Sequence, residues 1–325
     1  MPAMNIRLAG AVLAALCLGL DPATAQDWPT RPVRIVAPFA AGGSADTLGR
    51  LVAERLSDSL KQNFFVENRG GAGGLVGSQQ VANAEPDGYT FVISSIASHV
   101  IAPAINANAG FDPLKSFTHI AYLGGPPIVV IAHPSLGVAS LKDLVAKAKV
   151  SQEARGYVSP GTGTLGNLVA EYWGRKENIG LEHIPYKGAA QAITDLIAGH
   201  VKIGSMTWTT AHAQIRAGSV VPLAVSSAKR LADFPNVPTF KELGYDDLVA
   251  TTWFSFSGPS DLPKPIVDKL NQEIIKALDH PDVRRKLDQE AMETEKMSPE
   301  AFTKFVEQEI ARWGPVAKQV VTQTP

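Results

Sequence analysis

Along the chain, short apolar runs alternate with segments whose apolar residues recur at helical spacing, and glycine- or proline-marked turns separate them. Residues 33–38 read as a strand. A turn at 40–43 follows, then a helix that Ser44 should cap, with Leu48, Leu51, Val52, Leu56 and Leu60 on one face. The pattern predicts a strand at 64–67, a glycine turn at 70–74 into a helix ending near Ala84, and a strand at 89–94 after the turn Pro86-Asp87-Gly88. Strands follow at 120–123 and 128–132, then a helix to Lys149 capped by Ser140.

A second round has the same order: strand 156–159, turn 160–164, helix 165–176, strand 181–184, helix 189–198, and strands at 201–205 and 221–226. Residues 249–256 read as an aromatic strand. Three helices starting at Pro265, Pro281 and Pro299 close the chain, proline suiting the first helical position because its missing N–H would go unbonded there. Strands alternating with helices predict a parallel-rich α/β protein. The repeated round predicts two lobes around a cleft. The first comprises residues 26–126 and 251–325, the second residues 127–250, and the chain crosses near 124–128 and 249–253.

Composition narrows the function. Of 325 residues, 45% are hydrophobic and 19% charged, enough for two sizeable cores. Thirty basic against 31 acidic residues leave a net charge of -1, without the basic excess a nucleic-acid partner demands. The single cysteine, Cys17, excludes an internal disulfide and a cysteine-based zinc site. Arg7, the apolar run 8–20 and Ala23-Thr24-Ala25 together read as a secretory signal, residues 1–25, cleaved near Ala25. No later run is long and apolar enough to insert in a membrane, so the mature chain is expected to be an exported, soluble protein.

Several turns carry candidate chemistry. Pro38-Phe39-Ala40-Ala41-Gly42-Gly43-Ser44-Ala45-Asp46 joins a strand to a helix, whose first N–H groups lack intrahelical partners and attract anions. An ordinary strand-to-helix turn explains the same residues. Pro160-Gly161-Thr162-Gly163-Thr164-Leu165-Gly166 contains a literal G-x-G-x-x-G, which read alone fits a dinucleotide. Its mid-chain place in an exported protein and its two threonines fit a small anion better. Glu67-Asn68-Arg69 and the glycines at 70–74 read mainly as a structural turn. In Ile184-Pro185-Tyr186-Lys187-Gly188, Tyr186 and Lys187 could either face an anion or pack and solvate. The seven histidines show no metal-binding spacing, and there is no G-x-S-x-G or G-K-[ST] signature, so catalytic residues, metal ligands and cofactors are not expected.

The strings Trp28-Pro29, Arg31-Pro32-Val33-Arg34-Ile35-Val36, Val66-Glu67-Asn68-Arg69 and Pro86-Asp87-Gly88-Tyr89-Thr90 join the turns above in a longer pattern. So do Phe111-Asp112-Pro113, Pro185-Tyr186-Lys187-Gly188, Ile215-Arg216-Ala217-Gly218, Ser227-Ala228-Lys229-Arg230, Trp253-Phe254 and Pro263-Lys264. Across residues 28–310 the chain resembles the substrate-binding proteins of tripartite tricarboxylate transporters, the Bug family. The resemblance implies an α/β, two-lobed periplasmic-binding-protein-like fold with the ligand cleft between the lobes. It also implies a periplasmic protein, without catalysis, that closes on a small carboxylate and delivers it to a two-subunit, ion-coupled membrane permease; a monomer is the natural expectation for a shuttle that must dock on a membrane partner.

Carried onto this sequence, the resemblance implies a first-lobe site of Phe39, Ala41, Gly42, Gly43 and Asp46 with Ser95 and Ser98 nearby, opposed by Gly161, Thr162, Gly163 and Thr164 with Tyr186 alongside. Asp46 would brace the helix start rather than meet a like-charged ligand. Lys202-Ile203-Gly204-Ser205-Met206-Thr207-Trp208 departs from the family pattern by making one cleft edge less polar. If Thr207 and Trp208 line the cleft, an aromatic mono- or dicarboxylate such as terephthalate becomes the expected ligand. If Trp208 packs beneath its loop, that expectation loses its basis. An exported carboxylate-processing enzyme, or a binding subunit of a sensory system, could use the same cleft.

Overall fold

The computed structural model describes residues 28–186 and 188–322. The signal segment at 1–25 and Lys187 lie outside the described residues. The first region contributes β1 (Val33–Ala37), α1 (Ser44–Leu60), β2 (Phe64–Asn68), α2 (Leu75–Ala82), β3 (Thr90–Ser95), a wide helical turn over Ala97–Ile101 continuing into α3 (Ala102–Ile105), and β4 (Phe117–Gly124). The second contributes β5 (Ile128–Ala132), α4 (Leu141–Val150), β6 (Gly156–Ser159), α5 (Leu165–Lys176), β7 (Glu182–Pro185), α6 (Ala189–Ile197), β8 (Ile203–Thr207), α7 (Trp208–Arg216) and β9 (Val221–Val225). Then come β10 (Phe254–Pro259), α8 (Lys264–Asp279), α9 (Pro281–Gln289) and α10 (Pro299–Thr322).

Two five-stranded sheets form, ordered β2-β1-β3-β10-β4 and β7-β6-β8-β5-β9. In the first, β1 pairs parallel with β2 and β3; in the second, β6 pairs parallel with β7 and β8. The antiparallel member of each is the strand that arrives from the other sheet: β10 between β3 and β4, β5 between β8 and β9. Each crossing therefore delivers one reversed strand. The loops after β1 and β6 emerge at the ends of the sheets where the chain crosses.

Residues 249–253, read from the sequence both as a crossing and as the start of the aromatic strand, belong to the crossing, and the strand begins at Phe254. Thr252 N–H donates to Pro126 O (2.9 Å) of the other crossing, and Ala250 N–H to Ser226 O (2.8 Å) just past β9. The Ser226 hydroxyl accepts from Ile128 N–H (2.8 Å) and donates to Ala250 O, tying both crossings to one side chain. Gly125 lies so close that a Cβ there would stand 2.2 Å from Thr252 O.

Leu48, Leu56, Phe91, Phe256, Leu270 and Ile274 form a core between sheet one and α1, α8 and α9. Val129, Leu196, Met206, Trp208 and Val225 form another between sheet two and helices α6 and α7. A third core is shared. It joins Ile101, Tyr122 and Trp253 to Tyr157, Leu168 and Trp173 of the second sheet's layers, with Phe302, Val306 and Trp313 of α10. Trp253 Nε1–H donates to Glu309 Oε2 (2.9 Å), and Tyr172 meets Trp313 edge-on at 6.4 Å. Thus α10 touches both halves.

Candidate functional site

After β1 the chain turns through Gly42, whose φ of 81° favours glycine. Gly42 N–H donates to Asp46 Oδ2 (2.9 Å), and the Asn68 amide donates to Asp46 Oδ1 (3.0 Å) and to Phe39 O (3.3 Å). Arg50, one turn on, pairs with the same carboxylate at 2.9 Å. Burial would raise the Asp46 carboxyl, but the bonds from Arg50, Gly42 and Asn68 outweigh it and hold it below its usual range. Asp46 is 5% exposed and braces the loop from beneath, while Ala41, Gly42 and Gly43 lie exposed above it. The cap residue of α1 is Gly43, not Ser44, which is the first helical residue; no side chain caps the first N–H groups.

Phe39 is half-buried over Gly74, where a Cβ would stand 3.2 Å from the ring and 2.7 Å from Ser98 Cβ. Ser95 and Ser98 are fully buried. Ser95 N–H donates to Ser98 Oγ (3.1 Å), which also meets His99 Nδ1 at 3.0 Å. The two serines are thus engaged with each other and with His99 beneath the first-sheet loops.

The second loop has the same plan. Gly163, with φ of 76°, donates its N–H to Asn167 Oδ1 (3.0 Å), four residues on, as Gly42 does to Asp46. Gly161 N–H donates to Ser159 Oγ (3.2 Å), which meets His183 Nε2 at 2.7 Å. Thr164 caps α5, accepting from Asn167 N–H (3.4 Å), while its hydroxyl donates to Gly161 O (2.7 Å). Thr162 faces solvent. The N–H groups of Gly42, Gly161 and Gly163 therefore shape the loops. Those N–H groups are turned to loop acceptors, as is that of Asn167 to Thr164, whereas the Thr162 side chain is exposed and no side chain caps the first N–H groups of α1.

Gly163 lies against the helix that follows Ser98, with its Cβ position 3.4 Å from Ile105 Cδ1 and 3.6 Å from Ile101 Cγ2. The second-sheet loop and the buried serines are thereby neighbours through that helix. Tyr186 sets its carbonyl beside Gly161, and its hydroxyl donates to Asp195. In the G-x-G-x-x-G string, Gly166 serves packing, since a Cβ there would stand 2.4 Å from Ser205 O of β8.

Thr207 Oγ1 bonds the hydroxyls of Thr209 (3.0 Å) and Thr210 (2.9 Å) at the start of α7, a helix not predicted from the sequence. Met206 points into the second sheet's core. Trp208 is 3% exposed, and Phe234 meets its ring edge-on at 4.9 Å. That ring also borders a groove of about 1070 Å³ shared with His212, Phe234, Met292 and Glu293, which the two glycine loops do not line.

Sequence reasoning passed over Asn167 and His99. A signal for Asn167 was present: an amide or carboxylate recurs four residues after the middle glycine of both turns. Nothing in the sequence marked His99, whose role comes from contact with Ser98. Among the described residues, no group of three or more His, Cys, Asp or Glu could hold a metal ion, and no helix is long and apolar enough to cross a membrane.

The sequence profile of the tripartite tricarboxylate transporter family receptor, TctC, matches residues 48–321. Protein BugT of Bordetella pertussis is 31% identical over 299 residues, covering 92% of each chain. A solved R. palustris protein with adipate superposes with a TM-score of 0.80 at 33% identity, covering 91% of this chain and 99% of the other. MatC of Rhodopseudomonas palustris with bound malate gives 0.77 at 29% identity, covering 89% and 100%. With the same two-sheet architecture and sequence likeness along nearly its whole length, the chain belongs to the TctC receptor family of tripartite tricarboxylate transporters, among the Bug-type solute-binding proteins.

Proposed function

We propose that this chain is a periplasmic receptor that captures a small carboxylate between two lobes, residues 26–126 with 251–325 and residues 127–250. The lobes close as a clamshell, and the receptor, a monomer, hands its ligand to a two-subunit, ion-coupled permease. The carrying observation is the repeated turn: Gly42 with Asp46 and Gly163 with Asn167 each present an N-terminal helix end at the crossing side of a sheet. Backbone N–H groups at such ends, with the Thr162 hydroxyl, suit an anion that needs no arginine clamp. The first-sheet contacts would come from Ala41, Gly43 and the start of α1, with Phe39 as the apolar wall.

Adipate and malate in solved relatives support a short aliphatic dicarboxylate. An aromatic ligand such as terephthalate remains the finer alternative, and the burial of Trp208 against Phe234 removes the wall that favoured it. The test is a thermal-shift screen of the mature protein against adipate, malate, terephthalate and NAD. A ligand at a hundred times its Kd stabilises by about 2.7 kcal/mol, a shift of several degrees. A response to carboxylates is the expected result; silence there, or a response to NAD alone, overturns the reading.

A further inference from the structure

Two loops of one architecture are braced by groups of different charge. Beneath the first, the acceptor for the glycine N–H is the Asp46 carboxylate, matched by Arg50 at 2.9 Å. Beneath the second it is the neutral amide of Asn167, fully buried. The amide's other end donates to Tyr157 Oη (2.7 Å), which donates to Glu171 Oε1 (2.7 Å). A cation is not the next neighbour here; Arg175 reaches Glu171 only at 4.0 Å. A second charge at position 167 would lie over Glu171 without the guanidinium that Asp46 enjoys.

We propose that Asn167 is a positioning residue for the anionic ligand: it fixes the Gly161–Thr164 loop with an uncharged acceptor, leaving the start of α5 free of negative charge. This rests on the carboxylate-receptor reading and assigns a specificity role to a residue that need not touch the ligand. The Tyr157–Glu171 chain orients the amide so that Oδ1, not Nδ2, meets Gly163 N–H. Because Tyr157 O–H donates to Glu171, its oxygen serves Asn167 as an acceptor, which takes Nδ2 and turns Oδ1 to Gly163.

Two substitutions separate shape from charge. Asn167→Ala deletes the acceptor, and Asn167→Asp keeps it while adding charge. Native-state hydrogen exchange without ligand reads the loop; calorimetry with adipate, malate and terephthalate reads affinity. In Asn167→Ala, Gly163 exchange should accelerate by about tenfold relative to the amides of Leu168 to Trp173, and affinity should fall by about three- to tenfold. In Asn167→Asp, Gly163 exchange should stay near wild type while affinity falls as far or further. Unchanged Gly163 exchange in Asn167→Ala overturns the positioning role. Full carboxylate affinity in Asn167→Asp overturns the role of the missing charge. A wild-type chain that binds none of the three acids overturns the receptor reading and with it the ligand half of this inference, while the exchange data still decide whether Asn167 holds the loop.

Discussion

Asp46 and Asn167 hold equivalent places in the two sheets, each accepting the N–H of a left-handed glycine four residues earlier, at 2.9 and 3.0 Å. Both are buried and turned away from the surface their loops present. The bond does more than close a turn. It removes a donor that would otherwise compete for the ligand and sets the direction of the helix start that follows.

Removing Asp46 should be felt by three partners at once. Asp46→Ala takes its acceptor from Gly42 N–H and one of two acceptors each from the Asn68 amide, which keeps Phe39 O, and from Arg50, which keeps Asn68 Oδ1, at a cost of about 1–3 kcal/mol. Asp46→Asn keeps one acceptor and should lose less. Because the folded carboxyl titrates below its usual value, its contribution is complete above the unfolded value of 3.8 and is lost as pH falls through the folded one. Urea midpoints at pH 7 and through the acid range below pH 3.8 check both points: the two variants should differ at pH 7, and the advantage of wild type should shrink as pH falls below 3.8.

Three histidines predict acid lability. Burial, then the neighbouring His119, pushes His99 well below 6.5; burial brings His183 to about 4 and, against the raising effect of its bond to Pro113, His119 to about 4. Each is neutral in the fold, so the unfolded chain binds more protons below pH 6.5. Their effect is absent above pH 6.5, and stability declines as pH drops from there toward 4. His119 shows how the neutral form is held, donating from Nε2 to Pro113 O (3.0 Å) and accepting at Nδ1 from Ser257 (3.1 Å). Chemical denaturation at pH 7.5, 6, 5 and 4 should show the loss beginning well above the carboxylate range. A flat profile down to pH 5 would contradict it.

Trp208 is placed to matter for stability more than for ligand choice. Trp208→Leu should cost several kcal/mol, within the roughly 3–5 kcal/mol typical of large aromatic deletions or just below it. The ratio of affinities for terephthalate and adipate should not move. A selective loss of terephthalate binding would restore the ring to the cleft wall.

Glu309 offers a test of sign. Burial raises its carboxyl above the usual range, against the lowering influence of the Trp253 N–H and Arg312. A raised acid favours the protonated form in the fold, so its charge costs stability above the folded pKa and the cost fades as pH falls. Glu309→Gln keeps an acceptor for Trp253 and should be nearly neutral or stabilising at pH 7. Glu309→Leu orphans a buried indole N–H and should destabilise by about 1–3 kcal/mol. Thermal midpoints of the two variants decide it.

Periodicity made the alternation of strands and helices legible, and the bounds of β5, β6 and α5 coincide with the pattern. Elements whose residues serve two neighbours were harder to read. Residues 249–253 have strand composition but spend the Ala250 and Thr252 N–H groups on Ser226 and Pro126, and α7 begins on threonines that signal a turn as readily as a helix. The helical stretch from Ala97 to Ile105 carries a proline and borders the strand's own serines, which hides its period. At the site, the glycine turns were visible because unusual backbone needs unusual residues. Beneath them, Asp46 and the structural part of Asn68 were also legible, but His99 and Tyr157 were not, since they reach the loops only through the fold.

The last helix changes what closure can mean. Phe302 and Val306 of α10 pack with Tyr122 and Trp253, and further along Gln319 accepts from Arg175 (2.9 Å) beside Trp313 and Tyr172. On this flank both halves share one continuous apolar core; on the opposite flank each keeps its own. Parting the halves on the shared flank exposes apolar surface at about 25 cal/mol for every Å², whereas the other flank has no common core to break. The molecule is bound like a book along one long edge. If the proposed closure occurs, a fluorophore placed on α10 should move less than one placed on the Gly161–Thr164 loop.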